Sequence, residues 1–285
     1  MVNRRNTPRH TSTANLRNPS LPPPVAPPQV DTLGIEFRNQ EHLNNFIRLS
    51  SRRIKPTRFY DVEASRLLMV DGDVAQLFNQ VGWSSWLNLH SLTYRNLTLE
   101  FLSTFSVTRS EGSSNPRRVS FQLLGQHYDR PIGFFNNCFG WPKGGTIGPR
   151  SPLANDYSPV HFWQRLTGRL DYNPARSKGS CIVSPCFRIT QRFLTGTIFA
   201  RGDSQGVVSA GVLYFMWHMS EGDERINPGA WLIDHLEDVS VAKKGDIAIG
   251  GMISIIAATL GVDFADMQAV TGDTRLNFRS FTSMV

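Results

Sequence analysis

Basic residues are the groups in this chain whose types and spacing best suit a binding site. They form two runs, one within the first 30 residues and one further along the chain. Guanidinium and ammonium groups contact backbone phosphates, so these runs predict electrostatic binding of RNA or DNA. With about four phosphate contacts from the first run, the logarithm of the affinity for duplex DNA falls against the logarithm of salt concentration with a slope of about −3 to −4. That is weak binding for a monomer. The predicted nucleic-acid-binding residues are Arg4, Arg5, Arg9, Arg17, Arg52, Arg53, Lys55 and Arg58.

The net charge of +7 is concentrated in the first run. Residues 1–30 carry four arginines and no acid, so the rest of the chain is only mildly basic. A positive balance of this kind indicates an anionic partner. A second interpretation stays open, in which the N-terminal arginines only keep the protein soluble. Arg117 and Arg118, near a predicted hairpin loop, add to the second run.

Residue types that perform catalysis lack catalytic spacing in this chain. The sequence has no Gly-x-Ser-x-Gly elbow, no His-Glu-x-x-His motif and no Gly-x-x-x-x-Gly-Lys phosphate loop. Asp234, Glu237 and Asp238 share part of one helix face, which we interpret as a solvated acidic face rather than a cation site. His218 lies in an apolar run and is interpreted as a core histidine. We therefore predict no catalytic residue, no metal site, no cofactor and no enzymatic activity.

The odd number of cysteines, Cys138, Cys181 and Cys186, together with the lack of a secretory segment, predicts a reducing compartment. No histidine stands at the spacing of a zinc finger, so we expect buried free thiols. The N-terminus lacks the apolar core of a signal peptide. The longest apolar run, residues 247–262, is shorter than the roughly 20 residues of a membrane span. We expect an intracellular protein, nuclear or cytoplasmic, that is neither secreted nor bound to a membrane.

Hydrophobic periodicity predicts a mainly α-helical, multi-helix single domain. Amphipathic stripes indicate helices over residues 41–50, between an N-cap at Asp73 and Gly82, and through Leu97, Phe101 and Phe105. Enclosed core helices are expected over residues 207–219 and 247–262. Helices over 159–168, 185–200 and 228–239 are predicted from a capping side chain followed by proline, at Ser158-Pro159, Ser184-Pro185 and Asn227-Pro228.

Three features interrupt this helical pattern. Alternating residues over 105–109 and 119–123 predict a small β-hairpin. The tripeptide Arg201-Gly202-Asp203 is interpreted as a turn that ends a helix, with Gly202 at positive φ and Asp203 or Ser204 capping the next helix. Seven of the seventeen prolines lie in residues 1–30, which predicts a disordered, basic, proline-rich tail over 1–34 before a helical domain over 35–285.

Five ordered segments resemble the gag-like, first-open-reading-frame protein of Athila-type plant retrotransposons. They are residues 53–61, 73–83, 94–105, 121–141 and 197–209, and the whole resemblance runs from about residue 35 to 280. It implies a non-enzymatic structural protein of a plant gypsy-class element, or a degenerate genomic copy, that self-associates into a homo-oligomer and weakly binds nucleic acid. The family also resembles plant mobile-domain proteins. That likeness leaves a host-side protein–protein binding module as the alternative.

Overall fold

Helices dominate the structure of this chain. The computed structural model describes residues 32–109, 116–202, 205–223 and 225–277. Ten α-helices occur within these ranges, which confirms the mainly helical fold predicted from the sequence. The predicted tail falls almost wholly outside the described residues, and its boundary at residue 35 stays a prediction. In chain order the helices are α1 (Gln40–Ser50), α2 (Val62–Leu67), α3 (Asp71–Asn79), α4 (Arg95–Thr104), α5 (Ile132–Phe139), α6 (Pro159–Thr167), α7 (Pro185–Gly196), α8 (Ala210–Glu221), α9 (Pro228–Val241) and α10 (Gly250–Thr259).

Helices α6, α7 and α9 begin at the three prolines that the sequence predicted as helix starts. The Ser158 side chain accepts a hydrogen bond from the His161 amide, and that of Asn227 accepts one from the Ala230 amide. Both bonds satisfy amides that lack a partner inside the helix. Ser184 makes no side-chain capping bond, so that part of the prediction is wrong for α7.

Helix α7 is also shorter than predicted, since it ends at Gly196 instead of residue 200. Thr197 follows with φ −113° and ψ −91°, which are not helical values. Gly196 meets the chain at Arg58 so closely that an added Cβ would lie 2.9 Å from the Arg58 carbonyl oxygen. The end of α7 is therefore packed directly against the second basic run.

Helix α3 begins three residues earlier than predicted, because its N-cap is residue 70 instead of residue 73. Val70 occupies the cap position, and both Asp71 and Asp73 lie in the first turn. Aspartate is favoured both as an N-cap and in the first turn, where its carboxylate interacts with the positive end of the helix dipole, so its residue type did not distinguish the two positions. The predicted apolar stripe is confirmed by the burial of Val74, Leu77 and Phe78.

A three-stranded antiparallel sheet interrupts the helices, in the order β1 (Ser106–Arg109), β2 (Pro116–Leu123), β3 (Gln126–Pro131). The predicted hairpin is the β1–β2 pair, whose connecting loop lies outside the described residues. The third strand was not expected, because β3 is polar and half-exposed. Leu124 and Gly125 join β2 to β3 with φ of 48° and 76°, as a tight two-residue hairpin turn requires.

The core is built around helices that are buried on nearly every side. In α8 all residues from Val212 to Met219 are buried, as predicted, and α10 lies within the predicted run 247–262. Helix α4 is buried from Leu97 to Thr104, which is a wider face than the predicted stripe. Across the described ranges, every helix is too short or too polar to cross a bilayer.

Candidate nucleic-acid interface

The basic segment, which we define as residues 52–58, is fixed by backbone pairing. Ile54 forms a parallel bridge with Ile247, and Arg201 pairs with Ile247 in the antiparallel sense. The Lys55 amide donates to the Ile247 carbonyl at 2.8 Å, and the Ile247 amide donates to the Arg53 carbonyl at 2.9 Å. Successive side chains of an extended segment alternate in direction, so Ile54 is buried while Arg53 is exposed.

Thr57 anchors the other end of the basic segment. Its buried hydroxyl donates to the Ala248 carbonyl at 2.5 Å and accepts from the Gly251 amide at 2.8 Å. It thereby satisfies an amide at the start of α10, whose cap residue Ile249 makes no side-chain bond. The segment is consequently held on the folded core at both ends.

Arg52 is turned into the fold, although the sequence predicted it to bind nucleic acid. It is buried, and its Nε donates to the Gly245 carbonyl at 2.9 Å. Its Nη1 donates to the carbonyls of Val239 and Ala242 at 2.8 and 3.3 Å, at the end of α9. A cation at a helix C-terminus stabilises the free carbonyls there. We therefore leave Arg52 out of the proposed interface.

Arg53, Lys55 and Arg58 line a single cleft of about 380 Å³, which we call the first basic cleft. Gly202 and Gln205 contribute to its wall, as do residues 270–273, where Asp273 supplies a carboxylate. Lys55 Nζ donates to the Gly202 carbonyl at 3.1 Å and forms an ion pair with Asp246. The structure thus brings together three of the four basic-segment residues that the sequence predicted.

Arg192 of α7 lies near Arg58 of the first basic cleft, and the sequence analysis missed it. Burial lowers the pKa of the Arg192 guanidinium, and the positive charge of Arg58 lowers it further. Arg192 and Arg58 therefore lie close enough for each charge to act on the other. Arg192 lies 134 positions after Arg58, so spacing along the chain could not reveal the pair.

The turn after α7 packs closely but not in the predicted conformation. Gly202 does not have a positive φ, whereas Ala200 has a φ of 27°. Position 202 requires glycine because the chain there lies against Asp246, and an added Cβ would be 2.5 Å from the Asp246 Cβ. Asp203 and Ser204, the predicted caps, lie outside the described residues.

The other predicted basic residues are not placed in this cleft. Arg4, Arg5, Arg9 and Arg17 fall outside the described residues, as does the side chain of Arg117. Arg118 pairs with Asp129 across strands β2 and β3 at 2.9 Å. Whether the N-terminal arginines contact nucleic acid therefore stays a prediction.

Two of the three carboxylates on the acidic face of α9, those of Asp234 and Glu237, are paired, which corrects part of its interpretation as a solvated face. Asp238 is exposed, as that interpretation expected. Arg109 of β1 binds both carboxylate oxygens of Glu237 and lies 3.5 Å from Asp234. Arg150 lies 2.9 Å from Asp234 and 3.4 Å from Glu237. Bonding to Arg109 lowers the pKa of Glu237. These pairs hold the sheet and the loop before α6 onto α9.

His218 and the three cysteines are also enclosed, fully or in part, by the fold. His218 is fully buried as predicted, with Nδ1 3.0 Å from Asp223 Oδ2. The cysteines are free, though half-buried rather than buried, and desolvation raises the pKa of Cys138 and of Cys186 to about 11. Among the described residues, no cluster of three or more His, Cys, Asp or Glu side chains could hold a metal ion.

These observations define a mainly helical protein with a small sheet and a cation-lined cleft. Residues 36–216 match the model of the ATHILA ORF-1 family. The chain belongs to this family and is an Athila-type retrotransposon ORF-1 protein. All five segments of the sequence resemblance lie inside the match, which ends before the expected residue 280. No curated protein and no solved structure matches the chain.

Proposed function

We propose that this protein is a non-enzymatic, gag-like structural protein of a plant gypsy-class retrotransposon, or of a degenerate copy. In this proposal it self-associates and holds nucleic acid weakly through the first basic cleft and the N-terminal arginines. The observation that carries the proposal is the convergence of Arg53, Lys55 and Arg58 on one cleft beside Arg192. Cations gathered in a concave site attract the phosphates of a polyanion.

The absence of catalysis in this proposal is supported by what the buried ionisable groups do. The Glu100 carboxylate accepts bonds from Gln122, Leu124 and Gly125, and His218 lies against Asp223. Asp234 and Glu237 are paired with arginines from two other segments. The carboxylates of Glu100, Asp234 and Glu237 thus hold elements together instead of converging on an open site.

Nucleic-acid binding is tested by measuring the affinity for single-stranded RNA over a series of salt concentrations. We expect the logarithm of the affinity to fall with the logarithm of salt, because bound phosphates release counterions. The double variant Arg53→Gln/Arg58→Gln should make the slope shallower by about 1.4, at about 0.7 per contact. The matched control is Arg38→Gln/Lys143→Gln, which removes two exposed cations that do not line the cleft. Equal salt slopes for the two variants would exclude the first basic cleft as a binding site for RNA.

Self-association is tested by light scattering of the full-length protein with and without RNA. A weak site becomes useful when many copies bind one strand, so we expect the scattering mass to rise on addition of RNA. A strict monomer at high concentration that ignores RNA contradicts the proposal. That result favours the alternative, a host-side mobile-domain type of module that acts through protein partners.

A further inference from the structure

A second basic cleft, of about 430 Å³, is linked to the turn at residues 205–208 by the pairing of its lining residue Lys178 with Val207. Nothing in the sequence analysis singled it out. Its walls come from the end of α6 and from the loop between α6 and α7, with the buried ring of Trp163 contributing to its lining. Its polar lining includes Arg169, Asp171, Asn173, Arg176 and Lys178.

The charges of the second basic cleft leave two cations available. Arg169 binds Asp171 through both carboxylate oxygens, at 3.1 and 2.5 Å, and this bonding lowers the pKa of Asp171. Arg176 and Lys178 are exposed, and neither makes an ion pair with another described residue. The lining carboxylate is thus neutralised within the cleft, while two cations face solvent.

The loop that carries these cations is held in place. The Asn173 carbonyl accepts from the Arg176 amide at 3.0 Å, and the Asn173 side chain accepts from the Ala175 amide at 2.9 Å. Lys178 forms an antiparallel bridge with Val207. A charged side chain on a fixed backbone loses less conformational freedom when it binds a ligand.

The turn at residues 205–208 joins the two clefts. Gln205 lines the first basic cleft, and its carbonyl accepts from Gln191 Nε2 at 2.9 Å. The next residue, Gly206, accepts from the Gly179 amide beside the second basic cleft at 2.8 Å. A Cβ on Gly206 would lie 3.8 Å from Nη2 of Arg192, so that guanidinium lies against the same turn.

We infer that the two basic clefts form one continuous track for a flexible single-stranded nucleic acid, in the order Arg58, Arg192, Lys178. The inference rests on the proposed function and extends it from an isolated phosphate site to the strand that occupies it. A strand of single-stranded RNA or DNA bends easily between two concave sites. A duplex resists such bending, because its persistence length is about 50 nm.

The test compares short and long single strands on the full-length protein. Fluorescence anisotropy is measured with labelled oligouridylates of about 8 and about 24 nucleotides, lengths chosen to fill one cleft or to exceed both. The long strand should bind the wild-type protein more tightly than the short one. In Arg176→Gln/Lys178→Gln this difference in affinity between the long and short strands should be lost. The salt slope for the long strand should become shallower by about 1.4. The control is again Arg38→Gln/Lys143→Gln.

The outcomes separate this inference from the proposed function. If Arg176→Gln/Lys178→Gln still binds the long strand more tightly than the short one, with the same salt slope as the control variant, the track is overturned. The proposed function still stands in that case, provided that Arg53→Gln/Arg58→Gln weakens both strands. If both cleft variants bind like the control, the role of the first basic cleft in the proposed function fails and the track fails with it. Unchanged far-ultraviolet circular dichroism of each variant confirms that the substitutions leave the fold intact.

Discussion

Glu100 shows how a single buried side chain can hold two elements together. It projects from α4 and is only 2% exposed. Its carboxylate accepts from Gln122 Nε2 at 3.0 Å and from the amides of Leu124 and Gly125 at 2.7 and 2.8 Å. The acceptor therefore fixes the turn between β2 and β3. Nothing in the sequence around position 100 could indicate this role, because the partners lie 22 to 25 positions away.

Replacing Glu100 by glutamine should destabilise the protein by about 2–3 kcal/mol, the usual cost of leaving a buried polar group unpaired. Glutamine keeps the shape but turns an amide group toward backbone amides, so that two donors face each other. The measurement is the urea midpoint of unfolding. Glu36→Gln, at an exposed carboxylate, is the control and should change stability by less than about 0.5 kcal/mol. Equal midpoints for the two variants would contradict the assigned role.

His235 should make the stability of the protein depend on pH. Burial lowers its pKa from 6.5 to about 4, with a further contribution from the positive charge of Arg201. Between these values the unfolded chain binds the proton and the folded chain does not. The contribution is therefore fully present above about pH 6.5 and is lost as the pH falls toward 4, by about 3 kcal/mol in total.

The measurement for His235 is the free energy of unfolding over that pH range. His235→Asn should flatten the profile, although burial also lowers the pKa of His218, which acts in the same direction. His161→Asn, at an exposed imidazole, serves as the control and should leave the profile unchanged. If the pH profile of His235→Asn is as steep as that of the wild type, His235 is not the source of the pH dependence of stability.

At the scale of elements, local signals predicted where helices begin better than where they end. Proline preceded by a polar residue marked the starts of α6, α7 and α9, because proline suits a first turn wherever it occurs. The end of α7 depends instead on its contact with Arg58, which no local pattern contains. Strand β3 was missed for a similar reason, since its pairing with β2 outweighs its polar composition.

Arg52 and Arg53 offer a direct test at this scale, because neighbouring arginines serve different elements. Arg52→Gln should cost about 2 kcal/mol of stability, as the carbonyls at the end of α9 lose their cation. It should leave the salt slope of RNA binding unchanged. Arg53→Gln should do the reverse, with a slope shallower by about 0.7 and stability within about 0.5 kcal/mol of wild type. Urea unfolding and salt titration distinguish the two, and a shallower slope for Arg52→Gln would refute its structural assignment.

At the scale of the whole molecule, the candidate site combines a local run with distant residues. The run of cations at 52–58 was visible in the sequence, which is why three of the cleft residues could be predicted. Two things could not be read from it. The direction of Arg52 depends on the end of α9, and the position of Arg192 depends on how α7 packs against the basic segment. Both are set by contacts between residues more than a hundred positions apart.

The N-terminal arginines provide a prediction for the complete chain. Replacing Arg4, Arg5, Arg9 and Arg17 together by glutamine should make the salt slope of RNA binding shallower by about 3, at about 0.7 per contact on a single strand. The free energy of unfolding should not change. A slope equal to that of the wild type would mean that these arginines serve only solubility, which is the interpretation left open by composition. Lower solubility alone would support that second interpretation.

The pairing of Ile54 with Ile247 has a consequence for how the protein is made. A ribosome releases the first of these residues long before it has assembled the second, so the nascent chain must wait for almost its full length before the basic segment can dock. Translation that stops at residue 216 would omit α9 and α10, together with the carbonyls that Arg52 binds. Genomic copies with an early stop codon are therefore expected to yield chains that aggregate or are degraded, even when they retain the complete family-matched region.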